Sequence, residues 1–349
     1  MPIRTYTPQD QPALLHLIGQ QDAARAETLR RRWQWQLADN PYLPVQGPYI
    51  LVLEEQGELV GALLSFPFPL QIHKQQVVAH CLMDFIVHPN FRGGGVGLAL
   101  HMIGLPAYVL GTPNRSSLPL WRQFAGSLDL CQVETLSRVL NMRVYLHNKG
   151  WHAGLALAAG LFWRACQPLL LCRVSKDQNV QVRLLTEFDS QFDELWKSVH
   201  TEIGIGVVKD FRYLHWRYVQ APEHYLILAA YVDSRLTGFL VGRLSASLPG
   251  KAYIVDMLIQ NNSRSVLDAL LAEAVRQFAE QGAASIDCLL TRQDYYWRSL
   301  RQHGFIFKRW SYALVGTPYF AKQHVGSDLA AQHWRWFKGD GELDFIFDN

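Results

Sequence analysis

At 349 residues the chain is too long for one small α/β domain and suits two. A net charge of +3 is too small to argue for a nucleic-acid partner. Five cysteines with no C-x-x-C pair exclude a disulfide frame and a thiolate metal site, and fit buried thiols in a reduced, cytoplasmic compartment.

The opening MPIRTYTPQDQ has no apolar h-region, so no signal peptide is expected. Ile3 to Leu17 reads as a short strand and then a helix capped by Thr or Asp. The Arg30-Arg31-Arg32 run beside Trp33 and Trp35 reads as the solvated end of a helix rather than an RNA patch, because no basic–aromatic pattern continues from it. Tyr49 to Leu64 has a hairpin pattern: an apolar strand, the polar turn Glu55-Gln56-Gly57, and a second strand.

Cys81 to Val87 is an apolar run of β-type residues and predicts a buried strand. His88-Pro89-Asn90 ends it, since proline fixes its own φ and pushes the preceding residue out of the helical region. Arg92 and four glycines follow (Gly93, Gly94, Gly95, Gly97), then Val96, Leu98, Ala99, Leu100 and Met102 at near-helical spacing. Strand, glycine loop and helix start together build an anion site. Glycines allow close backbone approach, the first helical turn leaves N–H groups unpaired, and Arg92 adds a charged donor fork. Read as a turn with no ligand, the same stretch leaves four glycines that weaken a helix start by up to ~1 kcal/mol each.

Spacing narrows the guest. A G-x-G-x-x-G fingerprint fails because its third glycine falls on Leu98 or Leu100, and no G-K-[S/T] follows for a Walker loop. The pattern R-x-x-G-x-G is met by Arg92, Gly95 and Gly97, after a strand ending Val87-His88-Pro89. This resembles motif A of the GCN5-related N-acetyltransferase (GNAT) superfamily, [Q/R]-x-x-G-x-[G/A] after V-x-P. The resemblance implies an α/β fold with a mixed, split sheet. It also implies an acyl-CoA donor, acetyl-CoA or a longer one, whose pyrophosphate lies on the loop Arg92, Gly93, Gly94, Gly95, Val96, Gly97 and Leu98. The strand Phe85, Ile86, Val87 would pair with the pantetheine arm, and Asn114 would hydrogen-bond it.

Four blocks recur in the same order. Ile3 to Leu17 aligns with Val182 to Trp196, and Trp35-QLADN-Pro41 with Trp216-RYVQA-Pro222. Tyr49 to Leu64 aligns with Leu226 to Val241, whose turn is Asp233-Ser234, and CLMDFIV with YIVDMLI, which sets Asp84 opposite Asp256. The expected organisation is two tandem GNAT-like acyl-CoA N-acyltransferase domains: 1–150 binding acyl-CoA, an apolar helix and linker over 151–178, a degenerate copy over 179–320, and a tail over 321–349. Where the first copy has its glycines, the second has Asn261-Asn262-Ser263-Arg264-Ser265-Val266, whose side chains block a pyrophosphate. A single acyl-CoA site is the expectation. The boundary falls near Ser175–Asn179.

Ala153 to Leu171 is apolar but broken by Arg164, Gln167 and Pro168, too short a clean run for the ~20 residues of a membrane span. It reads as a buried or inter-domain helix from His152 to about Cys166, with a peripheral membrane contact or an acyl-chain wall as alternatives.

For chemistry, Asp84 is the best-placed carboxylate for a base, its side chain on the face opposite Phe85 and Val87. Asp256 at the matching point of the degenerate copy favours a structural role instead. A tyrosine that the family often places after the fifth strand is missing; Trp121 lies where one is sought, and Tyr145 or the second domain is left to reach across. His80, His88 and His101 flank the motif without an assigned role. Phe211 to Tyr218 and Tyr295 to Trp297 read either as core or as an aromatic wall for the acceptor. The expected reaction is N-acyl transfer to a small-molecule amine or amino sugar, without a metal. The alternatives are a coenzyme A-binding sensor or scaffold, or an acyltransferase of bacterial polysaccharide assembly, suggested by the W-R-Y-x-x-x-P block at Trp216. Oligomeric state, acyl length and acceptor are not encoded in any motif.

Overall fold

The computed structural model describes residues 1–44, 50–124, 128–170, 179–324, 329, 333–341 and 344. Most of the Ser175–Asn179 boundary, Cys172, the Cys166 side chain and much of the tail lie outside them. The first part of the chain runs β1 (Ile3–Thr5), α1 (Gln11–Gln21), α2 (Ala23–Trp33), β2 (Leu51–Glu55), β3 (Glu58–Ile72) and β4 (Gln75–Val87). It continues through α3 (Gly94–Gly104), β5 (Tyr108–Gly111), α4 (Leu118–Phe124) and β6 (Leu128–Val139). After α5 (Met142–His147) and α6 (Ala153–Leu170) come β7 (Val180–Leu185), α7 (Gln191–Val199), β8 (Ile205–Val207) and α8 (Phe211–Tyr218). Then follow β9 (Leu226–Val232), β10 (Arg235–Leu244), β11 (Lys251–Ile259), α9 (Arg264–Glu280), β12 (Ser285–Thr291), α10 (Tyr295–Gln302) and β13 (Ile306–Gly316). The short α11 (Tyr319–Gln323) and β14 (Trp334–Arg335) complete the described elements.

One mixed sheet collects these strands, in the order β1-β2-β3-β4-β5-β13-β6-β12-β11-β10-β9-β7. Residues aligned by sequence stand at matching points of it. Ile3 faces Leu53 as Val182 faces Ala230, and Gly61 pairs with Leu53 and Val87 as Gly238 pairs with Ala230 and Ile259. Both hairpin turns put their two central residues in the left-handed region, Gln56-Gly57 and Asp233-Ser234, the geometry that matches strand twist in a two-residue turn. The β3–β4 ladder slips between Leu63 and Ser65, and the β10–β11 ladder between Val241 and Gly242. Each slip is a bulge that carries an aspartate, Asp84 or Asp256.

The centre of the sheet was not foreseen. β13 enters between β5 and β6, and β6 lies between β13 and β12. Each part of the chain closes the other's sheet with its last strand. Trp35 and Trp216, matched in sequence, stack at 5.1 Å and exchange hydrogen bonds, Trp35 Nε1 to Trp216 O (2.8 Å) and Trp216 Nε1 to Trp35 O (3.2 Å). Such reciprocity is what a two-fold contact produces.

Two readings change and one is decided. Arg32 is fully buried rather than solvated, while Arg30 and Arg31 stay exposed, Arg30 pairing with Glu27 and Arg31 reaching Glu223 at 2.9 Å. The aromatic block of α8 is core: Tyr213, Trp216 and Tyr218 are buried, as is Tyr296 of α10. α6 exists but is not buried, for Leu155, Leu157, Leu161 and Phe162 are exposed and the small Ala156 and Gly160 face inward. Close packing explains the inversion, because a Cβ on Gly160 would meet Arg143 Cβ at 2.9 Å. Among the described residues no helix is long and apolar enough to cross a membrane.

Candidate functional site

β4 and β5 run parallel and pair only through Ala79–Tyr108, His80–Val109 and Cys81–Leu110. β5 ends at Gly111 while β4 continues to Val87, so the sheet opens there. A cavity of about 590 Å³ occupies the opening, lined by Asp22, Arg25, Leu82 to Phe85, Gly111 to Asn114, Ser117, Trp121 and Tyr312.

β4 presents backbone groups to this opening. His88 N donates to Val60 O (2.8 Å), and hydrogen-bonded pairs alternate along an antiparallel ladder. Ile86 is therefore bonded to β3, while the amides of Phe85 and Val87 point into the split. Val87 O accepts from Gln21 Nε2 (3.0 Å). Of the three strand residues singled out in the sequence, Phe85 and Val87 offer donors and Ile86 packs on the far face.

β4 gives way to a 3-10 turn at Pro89–Phe91, capped by His88 Nδ1, and then to α3. None of the motif glycines has positive φ, so close packing rather than backbone freedom explains them. A Cβ on Gly94 would stand 2.3 Å from Leu53 Cδ2; on Gly95, 3.1 Å from Phe85 Cζ; on Gly97, 3.0 Å from Ile3 Cδ1. Three glycines thus set the helix start directly on the sheet. Gly93 differs: a Cβ there meets nothing within 4 Å, and Arg92 beside it is exposed. Gly95 N turns back to Arg92 O (3.1 Å), whereas the first-turn amides of Gly94 and Val96 have no acceptor within their own helix. Val96 is half-buried and Leu98 buried in the core under α3. The loop does not line the cavity itself; it follows Phe85 and Val87 at the end of β4.

Asp84 lies on the bulge, half-buried, and accepts from Arg25 Nε of α2 at 2.9 Å. Asn114 lines the cavity while its Oδ1 closes the turn before α4, accepting from Ser116 N (3.0 Å) and Ser117 N (2.9 Å), which leaves its amide N–H groups as donors. Trp121 is buried, edge-on to Phe85 at 6.5 Å. His80 is buried on β4, and burial pushes it down to about 4; His88 is half-buried and His101 exposed. Tyr312 had no sequence signal toward this site. It comes from β13, through the strand exchange, and burial raises its hydroxyl while Arg115 partly offsets the shift. Among the described residues no group of three or more His, Cys, Asp or Glu side chains is placed to hold a metal ion.

The matching opening between β11 and β12 is filled. These strands pair from Lys251–Ser285 to Ile254–Cys288, and beyond that point the chain's own tail enters. Phe337 bridges Leu290, Thr291 N donates to Trp336 O (3.2 Å), and Arg217 Nε donates to Gly339 O (2.9 Å). Asp256, fully buried, accepts from Lys209 Nζ and Tyr218 OH, both at 2.8 Å, and Lys209 also pairs with Asp340 of the tail. Further along, Asp344 accepts from Arg243 Nε (2.9 Å), Arg217 Nη2 (3.2 Å) and Tyr225 OH (2.7 Å). Against the desolvation of burial, Arg243, Lys338 and Arg217 hold the Asp344 carboxyl well below its usual range. Burial, with Asp256 beside it and Lys209 opposing, raises Asp340 to about 6. At the loop of this half, Asn261 and Asn262 adopt positive φ where the first half has its glycine run.

No family model matches the chain, and no curated protein matches its sequence. Solved structures do match its fold. A probable N-acyltransferase from Enterococcus faecalis V583, described as a conserved protein of unknown function, superposes with TM-score 0.59 and 13% identity, over 90% of this chain and 72% of that one. A GCN5-related N-acetyltransferase from Anabaena variabilis gives 0.60 and 10% over 90% and 72%. Saccharomyces cerevisiae N-myristoyltransferase with bound myristoyl-CoA gives 0.56 and 12% over 90% and 82%. The fold is that of the GCN5-related N-acetyltransferases: a mixed α/β structure on a mixed sheet.

Proposed function

We propose that the protein is an acyl-CoA-dependent N-acyltransferase with two GNAT-like halves, 1–150 and 179–320, of which the first binds the donor. The observation that carries this is the open split of β4 and β5, with strand amides turned toward it and a glycine helix start at its end. Arg92, the open face of Gly93 and the amides of Gly94 and Val96 suit a pyrophosphate. The Phe85 and Val87 amides suit the pantetheine and thioester, and Asn114 supplies a further donor.

In the reaction the amine nitrogen attacks the thioester carbon, the C–S bond breaks, and the acyl group stays on nitrogen as an amide. The strand amides stabilise the oxygen that becomes negative. Asp84, held by Arg25, faces the incoming amine and takes its extra proton. Tyr312 is the phenol of the cavity and returns a proton to the departing thiolate. The acceptor is a small-molecule amine or amino sugar. Its wall is formed by Trp121, Tyr312 and the Asp22–Arg25 turn rather than by the α8 aromatics, which are core.

Thiol release from acetyl-CoA and longer acyl-CoAs, followed with a disulfide dye against a panel of amines, tests the reading. Amine-dependent release that Asp84→Asn lowers at least about tenfold is the expected result. Binding of the donor with no release from any amine would leave a coenzyme A-binding sensor.

A further inference from the structure

α6 carries its apolar side chains outward. Ala156 and Gly160 face α5, while Leu155 (61% exposed), Leu161 (60%) and Phe162 (72%) form an external ridge, with Trp151 (52%) just before the helix. A helix apolar on all sides belongs inside something, and among the described residues only its small-residue side is covered.

Charge around this ridge has one sign. No Asp or Glu occurs between Glu134 and Asp177. Arg143, Lys149 and Arg164 are exposed, with His147 and His152 beside them. None of those three cations forms an ion pair among the described residues. A cavity of about 460 Å³ opens between α5 and α6, with Arg143 and Arg164 in its wall.

We infer that α6 is a membrane-surface helix that lies on an anionic phospholipid leaflet. Leu155, Leu161 and Phe162 enter the acyl boundary, Trp151 sits at headgroup depth, and Arg143, Lys149 and Arg164 meet the lipid phosphates. Two observations select this occupant. Arg164, Gln167 and Pro168 break the apolar run in the sequence, which suits a helix lying in the interface rather than across it. A second copy docking through the same ridge would set like-charged rims against each other, which opposes association.

The test uses the full chain, sedimented with vesicles of phosphatidylcholine alone and with vesicles of phosphatidylcholine and phosphatidylglycerol in equal parts. Expected is binding to the anionic vesicles, at least about tenfold weaker on phosphatidylcholine alone and weakened by salt. The double variant Leu161→Glu/Phe162→Glu, at exposed positions, should lose that binding with Tm unchanged. Arg143→Glu/Arg164→Glu, which leaves the apolar ridge intact, should lose the preference for anionic lipid. No sedimentation with either vesicle, or undiminished binding by the first variant, overturns the inference. So does a vesicle-free dimer by light scattering that Leu161→Glu/Phe162→Glu dissociates, which would give the ridge to a second copy.

Discussion

The two openings in this sheet start from the same geometry and end differently. Both follow a parallel strand pair that separates after three or four residues, and both carry an aspartate on a bulge held by a basic side chain, Asp84 by Arg25 and Asp256 by Lys209. The first keeps a cavity and half-exposed charges. In the second, the chain's own tail supplies Phe337, Gly339, Asp340 and Asp344, and both of these carboxylates are paired inside the protein. Strand edges and buried polar groups need partners. In the first half that edge stays open, and in the second the chain's own tail meets it.

The largest effect should come from cutting the plug. Asp344→Ala leaves Arg217 and Arg243 buried without their carboxylate, and breaking such a cluster costs about 3–5 kcal/mol. Urea unfolding measures the loss. A cost below about 1 kcal/mol would mean that the tail rests on the protein without being part of it. A second acyl-CoA site opened by this variant would erase the difference between the halves.

The glycine loop separates binding from folding. Gly93→Phe places a ring in open space, so acyl-CoA affinity should fall at least about a hundredfold at nearly constant Tm. Gly94→Ala pushes a methyl into Leu53 and should cost about 1–3 kcal/mol of stability. If Gly93→Phe binds normally, the cradle lies elsewhere.

Smaller effects come from pH. Asp340, raised to about 6, binds its proton more tightly in the folded state, so its contribution is present below the ordinary carboxylate range and is lost as pH rises toward 6. His80, lowered to about 4, acts oppositely: the unfolded chain takes the proton first, so stability falls as pH drops from about 6.5 to about 4. Asp340→Asn should therefore make stability rise more steeply with pH over that window than in the parent protein, and His80→Gln less steeply. Identical slopes in all three proteins would contradict both assignments.

Much of the first site was legible because it is local. The strand ending at Val87, the proline break and the helix beginning in the glycines follow from residue type and spacing, and α3 begins at Gly94. The blocks matched in sequence were legible as well, and the aligned Asp84 and Asp256 stand at corresponding bulges of the sheet. What the glycines do was only partly readable, since Gly94, Gly95 and Gly97 accommodate Leu53, Phe85 and Ile3, and only Gly93 faces open space. The exchange of β6 and β13 left no trace in local pattern, because either strand has the composition to pair with β5 or with β12. Tyr312 was missed for that reason. Arg32 was misplaced because its burial depends on the other half of the chain meeting it, whereas the α8 aromatics take the core position that was one of their two readings.

The most direct measurement is a calorimetric titration of the purified protein with acetyl-CoA, then longer acyl-CoAs and free coenzyme A. One equivalent bound, and lost in Gly93→Phe, is the expected result: a single open split, with the other closed by the tail. Two equivalents, or none with any donor, would contradict it.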